Sequence, residues 1–206
     1  MPQANGAVKR RKYRVIMLGD YNMKLYYARH GETVWNAQNR ILGVTDISLN
    51  ANGVAQAEAL AEQCAQLGDV DVIISSPLKR ARETANIVSA RIMKPVIIEN
   101  RLTEWDYGKY EGVDRMGTYD PGKPAFQAAK LGFCERVGET GESLLQLAHR
   151  VYAALDDLPF LYGGQNPLLI THGGVCRVLE TYYKSMTTVE FSQYFSANCE
   201  MRCWII

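Results

Sequence analysis

The sequence predicts a three-layer α/β/α sandwich whose central sheet is mainly parallel. Short apolar strands alternate with amphipathic helices, and no repeat or low-complexity linker divides the chain. The 206 residues, 47% of them hydrophobic and 22% charged, suit one domain that buries its core without disulfides or a structural metal. No apolar run approaches the roughly 20 residues that cross a bilayer, which predicts that the chain does not span a membrane.

The individual elements follow from hydrophobic periodicity. Strands are predicted at 24–28, 70–74, 95–98, 167–171 and 200–206. Helices are predicted at 52–67, 78–89, 142–158 and 175–183. Pro77 stands where the second helix can begin, and Thr140 is available as the N-cap of the third.

Two segments depart from this alternation. The stretch 107–137 mixes glycine and proline with aromatic residues and is predicted to be a lid-like insertion. Residues 1–22 hold five lysines and arginines against one aspartate, a net charge of +4 that leaves −3 for the rest of a chain of formal charge +1. We expect 1–22 to be a flexible basic extension and 23–206 to be a single domain.

Charge and cysteine content argue against several classes of protein. A nearly neutral chain lacks the basic face of a nucleic-acid binder. The five cysteines form no CxxC pair and the three histidines show no metal-ligand spacing, so we expect reduced thiols and no metal site. The basic start lacks the apolar core and cleavage site of a secretory leader, which predicts a cytoplasmic protein.

Polar side chains cluster where three of the predicted strands end. Arg29 and His30 follow the first strand, Arg80 lies shortly after the second, and His172 follows the fourth. Carboxyl ends of parallel strands meet at one sheet edge, where helix N-termini offer N–H groups to anions. Guanidinium groups suit phosphate oxygens, and positive neighbours keep an imidazole neutral and nucleophilic. The pattern predicts a site that binds and attacks phosphate.

Six motifs together make the chain resemble the histidine phosphatase superfamily, the phosphoglycerate mutase-like proteins. They are YARHGETVWN at 27–36, NRILGVTDISLNANGVAQA at 39–57, SSPLKRARETA at 75–85, LTEWDYGKYEG at 102–112, GETGESL at 138–144 and ITHGG at 170–174. The resemblance covers nearly all of 23–206. It implies the α/β fold described above and phosphoryl transfer through a phosphohistidine, with no metal or other cofactor.

The resemblance also implies roles for single residues. His30 would be the nucleophile and Glu104 the general acid and base. Five further groups would bind phosphate: Arg29, Arg80, protonated His172, the side chain of Asn36 and the backbone N–H of Gly173. Arg82 competes with Arg80, but residues two apart on a helix point to different sides, and Arg80 lies nearer the helix start.

Four nearby residues receive structural interpretations. Glu111 is interpreted as structural or solvated, although it lies near the site segment. His149 is interpreted as one polar residue of an amphipathic helix. Trp35 is expected in the core and Thr33 at a helix cap.

Two activities and one non-enzymatic function stay open. A phosphomonoesterase lets water attack the phosphohistidine, whereas a mutase returns the phosphoryl group to a bound hydroxy acid. Mutases of the superfamily carry Arg-His after the acid/base glutamate, where this chain has Trp105 and Asp106. The added carboxylate disfavours phosphoglycerate, so we prefer the phosphatase. The third candidate is a regulatory protein that binds a phosphorylated ligand on the same fold.

The predicted insertion at 107–137 limits the class of substrate that we expect. Its aromatic residues and nearly balanced charges predict a small metabolite with one phosphate and a less charged or bulkier remainder, such as a phosphosugar, a nucleotide or a cofactor precursor. No nucleic-acid or membrane partner is expected, and a homodimer is left open.

Overall fold

The computed structural model describes residues 23–115 and 133–206. In this part of the chain the strands are β1 (Lys24–Arg29), β2 (Val72–Ser75), β3 (Val96–Ile98), β4 (Pro167–Thr171) and β5 (Met201–Ile205). The helices are α1 (Val34–Ala37), α2 (Ala51–Leu67), α3 (Lys79–Ile92), α4 (Leu144–Tyr162), α5 (Gly173–Tyr183) and α6 (Thr188–Gln193). Two 3-10 turns lie at Asn100–Leu102 and Gly108–Tyr110.

The strands form one five-stranded sheet in the order β3-β2-β4-β1-β5. The pairs β2–β3, β2–β4 and β1–β4 are parallel, whereas β5 runs antiparallel to β1. The predicted α/β fold with a mainly parallel sheet is therefore confirmed. β1 lies between β4 and β5, so its carboxyl end is flanked on both sides.

Hydrophobic side chains leave both faces of the sheet and form the two outer layers. Along β1, Leu25 and Tyr27 pack against α4 and α5, and Tyr26 and Ala28 pack against α2 and α3. All four side chains are buried, which is why the strand reads as a continuous apolar run. The polar side chains of the site lie beyond the carboxyl ends of the strands.

Several predicted boundaries are wrong by a few residues, and the cap of α4 is wrong by three. Thr140 lies in a turn closed by the bond from its own N–H to the Gly138 carbonyl, 2.7 Å. The cap is Ser143, whose hydroxyl accepts from the N–H of Gln146 while the Gln146 side chain accepts from the Ser143 N–H. This reciprocal capping box fixes the helix start two residues after the predicted one.

The start of α3 and the position of Trp35 also differ from expectation. Helix α3 begins at Lys79 with Leu78 as N-cap, so Pro77 precedes the helix instead of opening it. Trp35 is only half-buried and lies outside both core clusters, with the Arg40 guanidinium over its ring at 5.4 Å. The short helices α1 and α6, each under two turns, were not predicted because their length leaves little periodicity to detect.

Two predicted segments fall partly or wholly outside the described residues. The basic extension 1–22 does so entirely, and the insertion is described only at its flanks, 107–115 and 133–137. The flanks contact the core, since Val137 is buried in it and Tyr107 and Tyr110 pack against it. None of the helices in the described ranges is long and apolar enough to cross a membrane.

We predict that Ser143→Ala lowers the free energy of unfolding by about 1 kcal/mol, because the substitution leaves the N–H of Gln146 without its capping partner. Thr140→Ala is the matched control and should change it by less than about 0.5 kcal/mol. Urea denaturation of both variants measures this, and an equal loss in the two would contradict the cap assignment.

Candidate active site

The polar residues that follow β1, β2 and β4 meet at one edge of the sheet. His30 directly follows β1, Arg80 is the second residue of α3, and His172 joins β4 to α5. All three are buried, at 2%, 0% and 0% exposure. The imidazole rings of His30 and His172 lie 5.1 Å apart between centroids. The structure thus brings together the residues that the motifs singled out.

The imidazole of His30 is held in one tautomer by its two contacts. Nδ1 lies 2.7 Å from the Gly31 carbonyl oxygen, which can only accept, so Nδ1 carries the proton. Nε2 accepts from Nε–H of Arg80 at 3.2 Å, which places its lone pair toward the guanidinium. Burial, with the positive charges of Arg80 and Arg29, holds the pKa of His30 well below its ordinary 6.5. His30 is therefore a neutral imidazole with its nucleophilic nitrogen directed into the site.

The guanidinium of Arg80 is fixed by the loop that precedes α2. Nη1 donates to the Thr45 carbonyl at 2.8 Å and Nη2 to the Gly43 carbonyl at 2.7 Å. With the bond to His30, three of its five N–H groups are engaged and two are left for an anion. Burial lowers its pKa to about 10, so Arg80 stays charged at neutral pH. Arg82 is exposed, as expected from its place on the other side of α3.

His172 is held by a hydroxyl from the neighbouring strand. Its Nε2 lies 2.7 Å from Oγ of Ser76, and its buried Nδ1 has no partner among the described residues. Burial, with the charges of Arg80 and Arg29, lowers the pKa of His172 well below 6.5. The protein groups alone thus favour a neutral His172. The protonated form expected from the sequence would need a further negative charge beside the ring.

Glu104 reaches the same site from the loop after the first 3-10 turn. Its Oε1 accepts from the N–H of Trp105 at 2.8 Å and from that of Gly174 at 3.1 Å. A Cβ at position 174 would lie 2.6 Å from Oε1, so only glycine lets the start of α5 approach the carboxyl group this closely. The N-terminus of a helix stabilises negative charge on this group.

Arg29 and the start of α5 line a small cavity beside the two histidines. The cavity measures about 60 Å³ and includes Glu104 and Gly173 in its wall. Arg29 Nη1 donates to the Ser196 carbonyl at 3.1 Å, while its buried Nε has no partner in the described ranges. Burial also lowers the pKa of Arg29, as it does for Arg80. The donors here suit an anion, because Arg29 presents an unbonded N–H.

Two predicted phosphate donors occupy different situations. Gly173 is the first residue of α5, and its N–H bonds to no other described residue, which leaves it directed out of the helix start. Asn36 has its amide oxygen engaged by the Thr33 N–H at 3.1 Å, within the capping box of α1. Only the NH₂ of Asn36 is left for a ligand. Thr33 is confirmed as a helix cap.

Larger cavities lie next to this site and away from it. A polar cavity of about 400 Å³ adjoins Glu104 and is also lined by Asp106, Thr103 and Arg136. An apolar cavity of about 620 Å³ between α4 and α6 contains none of the predicted site residues. We place the candidate active site at the histidines despite its small volume, because the charged and titratable groups converge there. Within the described ranges no cluster of three His, Cys, Asp or Glu side chains could hold a metal ion.

Sequence reasoning missed the groups that hold the site residues in place. The carbonyls of Gly43, Thr45 and Ser196 accept hydrogen bonds from the two arginines. Because every residue has a carbonyl, the residue type gives no indication of this role. Ser76 could have been found from its position directly after β2. His149 is exposed and lies apart from the histidine pair, in agreement with its structural interpretation.

Comparison with known families agrees with this arrangement. The sequence model of the histidine phosphatase superfamily (branch 1) matches residues 25–204. The chain belongs to this superfamily. The match covers all five strands but for the first residue of β1 and the last of β5, and it includes each of the site residues described above.

Individual relatives carry the names of both mutases and phosphatases. A protein named probable phosphoglycerate mutase GpmB, from Enterobacter sp. (strain 638), is 38% identical over 155 residues, which are 73% of this chain and 70% of that protein. The structure of phosphoserine phosphatase from Entamoeba histolytica in complex with 3-phosphoglyceric acid matches with a TM-score of 0.78 and 27% identity over 89% of this chain and 90% of that one. The mycobacterial glucosyl-3-phosphoglycerate phosphatase matches with a TM-score of 0.71 and 25% identity, over 85% and 86% of the two chains.

We predict that His30 and His172 stay neutral until the pH falls well below 6.5. Because their folded pKa lies below the unfolded value, the stability they contribute is complete above pH 6.5 and is lost as the pH falls toward the folded pKa. ¹⁵N NMR of the imidazole nitrogens, assigned with His→Gln variants, reports both the midpoint and the tautomer. A midpoint for His30 at or above 6.5, or a proton on its Nε2 at neutral pH, would contradict the geometry.

Proposed function

We propose that this protein is a phosphomonoesterase that hydrolyses a small phosphorylated metabolite through a phosphohistidine on His30. The observation that supports this best is the fixed tautomer of His30, with Nδ1 bonded to the Gly31 carbonyl and the Nε2 lone pair directed to Arg80. The neighbouring guanidinium groups supply charge where phosphate oxygens would lie. In-line attack on phosphorus uses the Nε2 lone pair, which leaves Arg80 Nε when a substrate phosphate binds between the two groups.

The reaction proceeds in two half-reactions. In the first, Nε2 of His30 forms a bond to phosphorus, the ester P–O bond breaks, and the carboxyl of Glu104 gives its proton to the leaving oxygen. In the second, the Glu104 carboxylate takes a proton from water, the water oxygen bonds to phosphorus, and the N–P bond breaks with its electron pair returning to His30. Arg29, Arg80 and the N–H of Gly173 stabilise the equatorial oxygens in both steps, without a metal ion.

A phosphoenzyme should be trapped on His30. We expect a rapid quench of wild-type protein with a ³²P-labelled monoester to yield protein-bound phosphate that is stable to base and labile to acid. His30→Ala should give none, and His149→Ala, the control on an exposed histidine, should give the wild-type amount. Binding of the ester without label would instead identify a regulatory phospho-ligand protein.

Glu104→Gln should lower kcat by roughly 10²–10⁴-fold for an alkyl phosphate, because the leaving alkoxide then lacks a proton donor. The loss should be much smaller for p-nitrophenyl phosphate, whose leaving group needs little protonation. Steady-state kinetics on the two esters measures the difference. Full turnover of every substrate by Glu104→Gln would exclude the acid/base role.

A cofactor-dependent phosphoglycerate mutase is the second candidate. Its support is the 38% identical relative named probable phosphoglycerate mutase, together with Arg115 and Arg177, which line the same cavity as Arg29. Against it stands the acidic residue Asp106, which lines the cavity next to Glu104. We therefore favour hydrolysis.

The mutase is tested by adding 3-phosphoglycerate with catalytic 2,3-bisphosphoglycerate and following both isomers by ³¹P NMR. A phosphatase should release inorganic phosphate from a panel of monoesters and form no 2-phosphoglycerate. Isomerisation faster than phosphate release would reverse our preference. We further propose a cytoplasmic protein whose partner is a small phosphorylated substrate, without nucleic acid or membrane.

A further inference from the structure

Glu111 accepts hydrogen bonds from one short loop through both carboxylate oxygens. Oε1 accepts from the N–H of Val44 at 2.8 Å, and Oε2 accepts from the N–H of Thr45 at 2.9 Å and from the Thr45 hydroxyl. A weaker bond joins Oε1 to the N–H of Tyr107 at 3.3 Å. Hydrogen bonds to a charged acceptor are stronger than neutral ones, so the carboxylate fixes the backbone of this loop.

The loop fixed by Glu111 is the one that holds Arg80. The carbonyls of Gly43 and Thr45 accept from Nη2 and Nη1 of Arg80, and Nε of Arg80 donates to His30. A continuous chain of hydrogen bonds therefore runs from Glu111 through the backbone of residues 43–45 to the guanidinium and on to the nucleophile. The bonds of this chain that involve backbone groups, Arg80 and His30 are 2.7–3.2 Å long, within the ordinary range.

The position of Gly43 shows how closely the carboxylate is fitted. Gly43 has φ of +55°, and a Cβ there would lie 1.8 Å from Oε1 of Glu111. Backbone in the left-handed region disfavours a side chain, and a Cβ here would force the Glu111 carboxylate to move. The glycine at position 43 thus leaves the space that the Glu111 carboxylate occupies.

We propose that Glu111 is a positioning residue that sets the orientation of the Arg80 guanidinium and, through it, the affinity of the site for phosphate. The inference rests on the proposed function only in taking phosphate as the ligand. Glu111 touches no reacting atom in this arrangement. In Glu111→Gln an NH₂ group would face one of the loop N–H donors, so one carbonyl that holds Arg80 would shift.

The test is a double-mutant cycle on the binding of inorganic phosphate, measured by titration calorimetry. Glu111→Gln should weaken phosphate binding roughly tenfold to a hundredfold in the wild-type background, because small misplacements of a binding group are costly. In the Arg80→Lys background, which lacks the fork held by the two carbonyls, the same substitution should change binding less than about twofold.

Glu83→Gln is the matched control. Glu83 also holds a backbone N–H, that of Leu49 at 2.8 Å, but has no hydrogen bond to the loop 43–45 or to Arg80. It should leave phosphate binding unchanged while lowering the thermal unfolding midpoint by less than Glu111→Gln does, since Glu83 accepts one such bond and Glu111 accepts four. If Glu111→Gln unfolds the protein, Thr45→Val is used instead, since it removes one bond to Glu111 and leaves the Thr45 carbonyl in place.

Five outcomes are decisive. Loss in the wild-type background alone supports the proposal. Equal losses in both backgrounds, or no loss in either, overturn it, and so does a wild-type protein that binds no phosphate. If Glu111→Gln weakens phosphate binding in the wild-type background alone but the protein hydrolyses no monoester, the proposed function is overturned. The role of Glu111 then stands.

Discussion

The guanidinium of Arg80 is a fully buried positive charge, and much of the surrounding structure supplies or supports its hydrogen bonds. Taking such a group out of water is costly unless it is paired or hydrogen-bonded. Two backbone carbonyls and an imidazole nitrogen provide its hydrogen bonds. The carbonyls belong to the loop that follows Ile41. The Ile41 N–H donates to the Val113 carbonyl and so ties this loop to the segment 111–114. Segments far apart in sequence are therefore held in place around one side chain.

The register of the parallel strands explains why the two histidines meet. In the pairing of β1 with β4, Arg29 is the partner of Thr171, so the next residue of each strand, His30 and His172, leaves the sheet at the same level. The bond from the His30 N–H to the Thr171 carbonyl, 2.9 Å, continues the ladder to that point. A shift of one residue would turn one of the rings toward the opposite face.

The sequence predicted features that depend on residue type better than features that depend on backbone geometry. Alternating apolar strands and helices predicted the sheet, and the strand ends predicted the places of Arg29, His30 and His172. The antiparallel direction of β5 had no signal, because an apolar strand reads the same in either direction. Thr140 and Ser143 are equally good caps by composition, and only the reciprocal bond with Gln146 decides between them. The charge on His172 depends on burial that no local pattern reports.

The place of β1 in the sheet bears on how the protein acquires its site. β1 is the first strand in the described part of the chain, yet both of its neighbours, β4 and β5, are formed by residues after 166. During synthesis the early strand therefore has no partner until nearly all of the domain has been made, and closing such long loops is slow. His30 can take up its fixed orientation only when Thr171 arrives beside it. A partly made chain would carry His30 without the neighbours that fix its orientation.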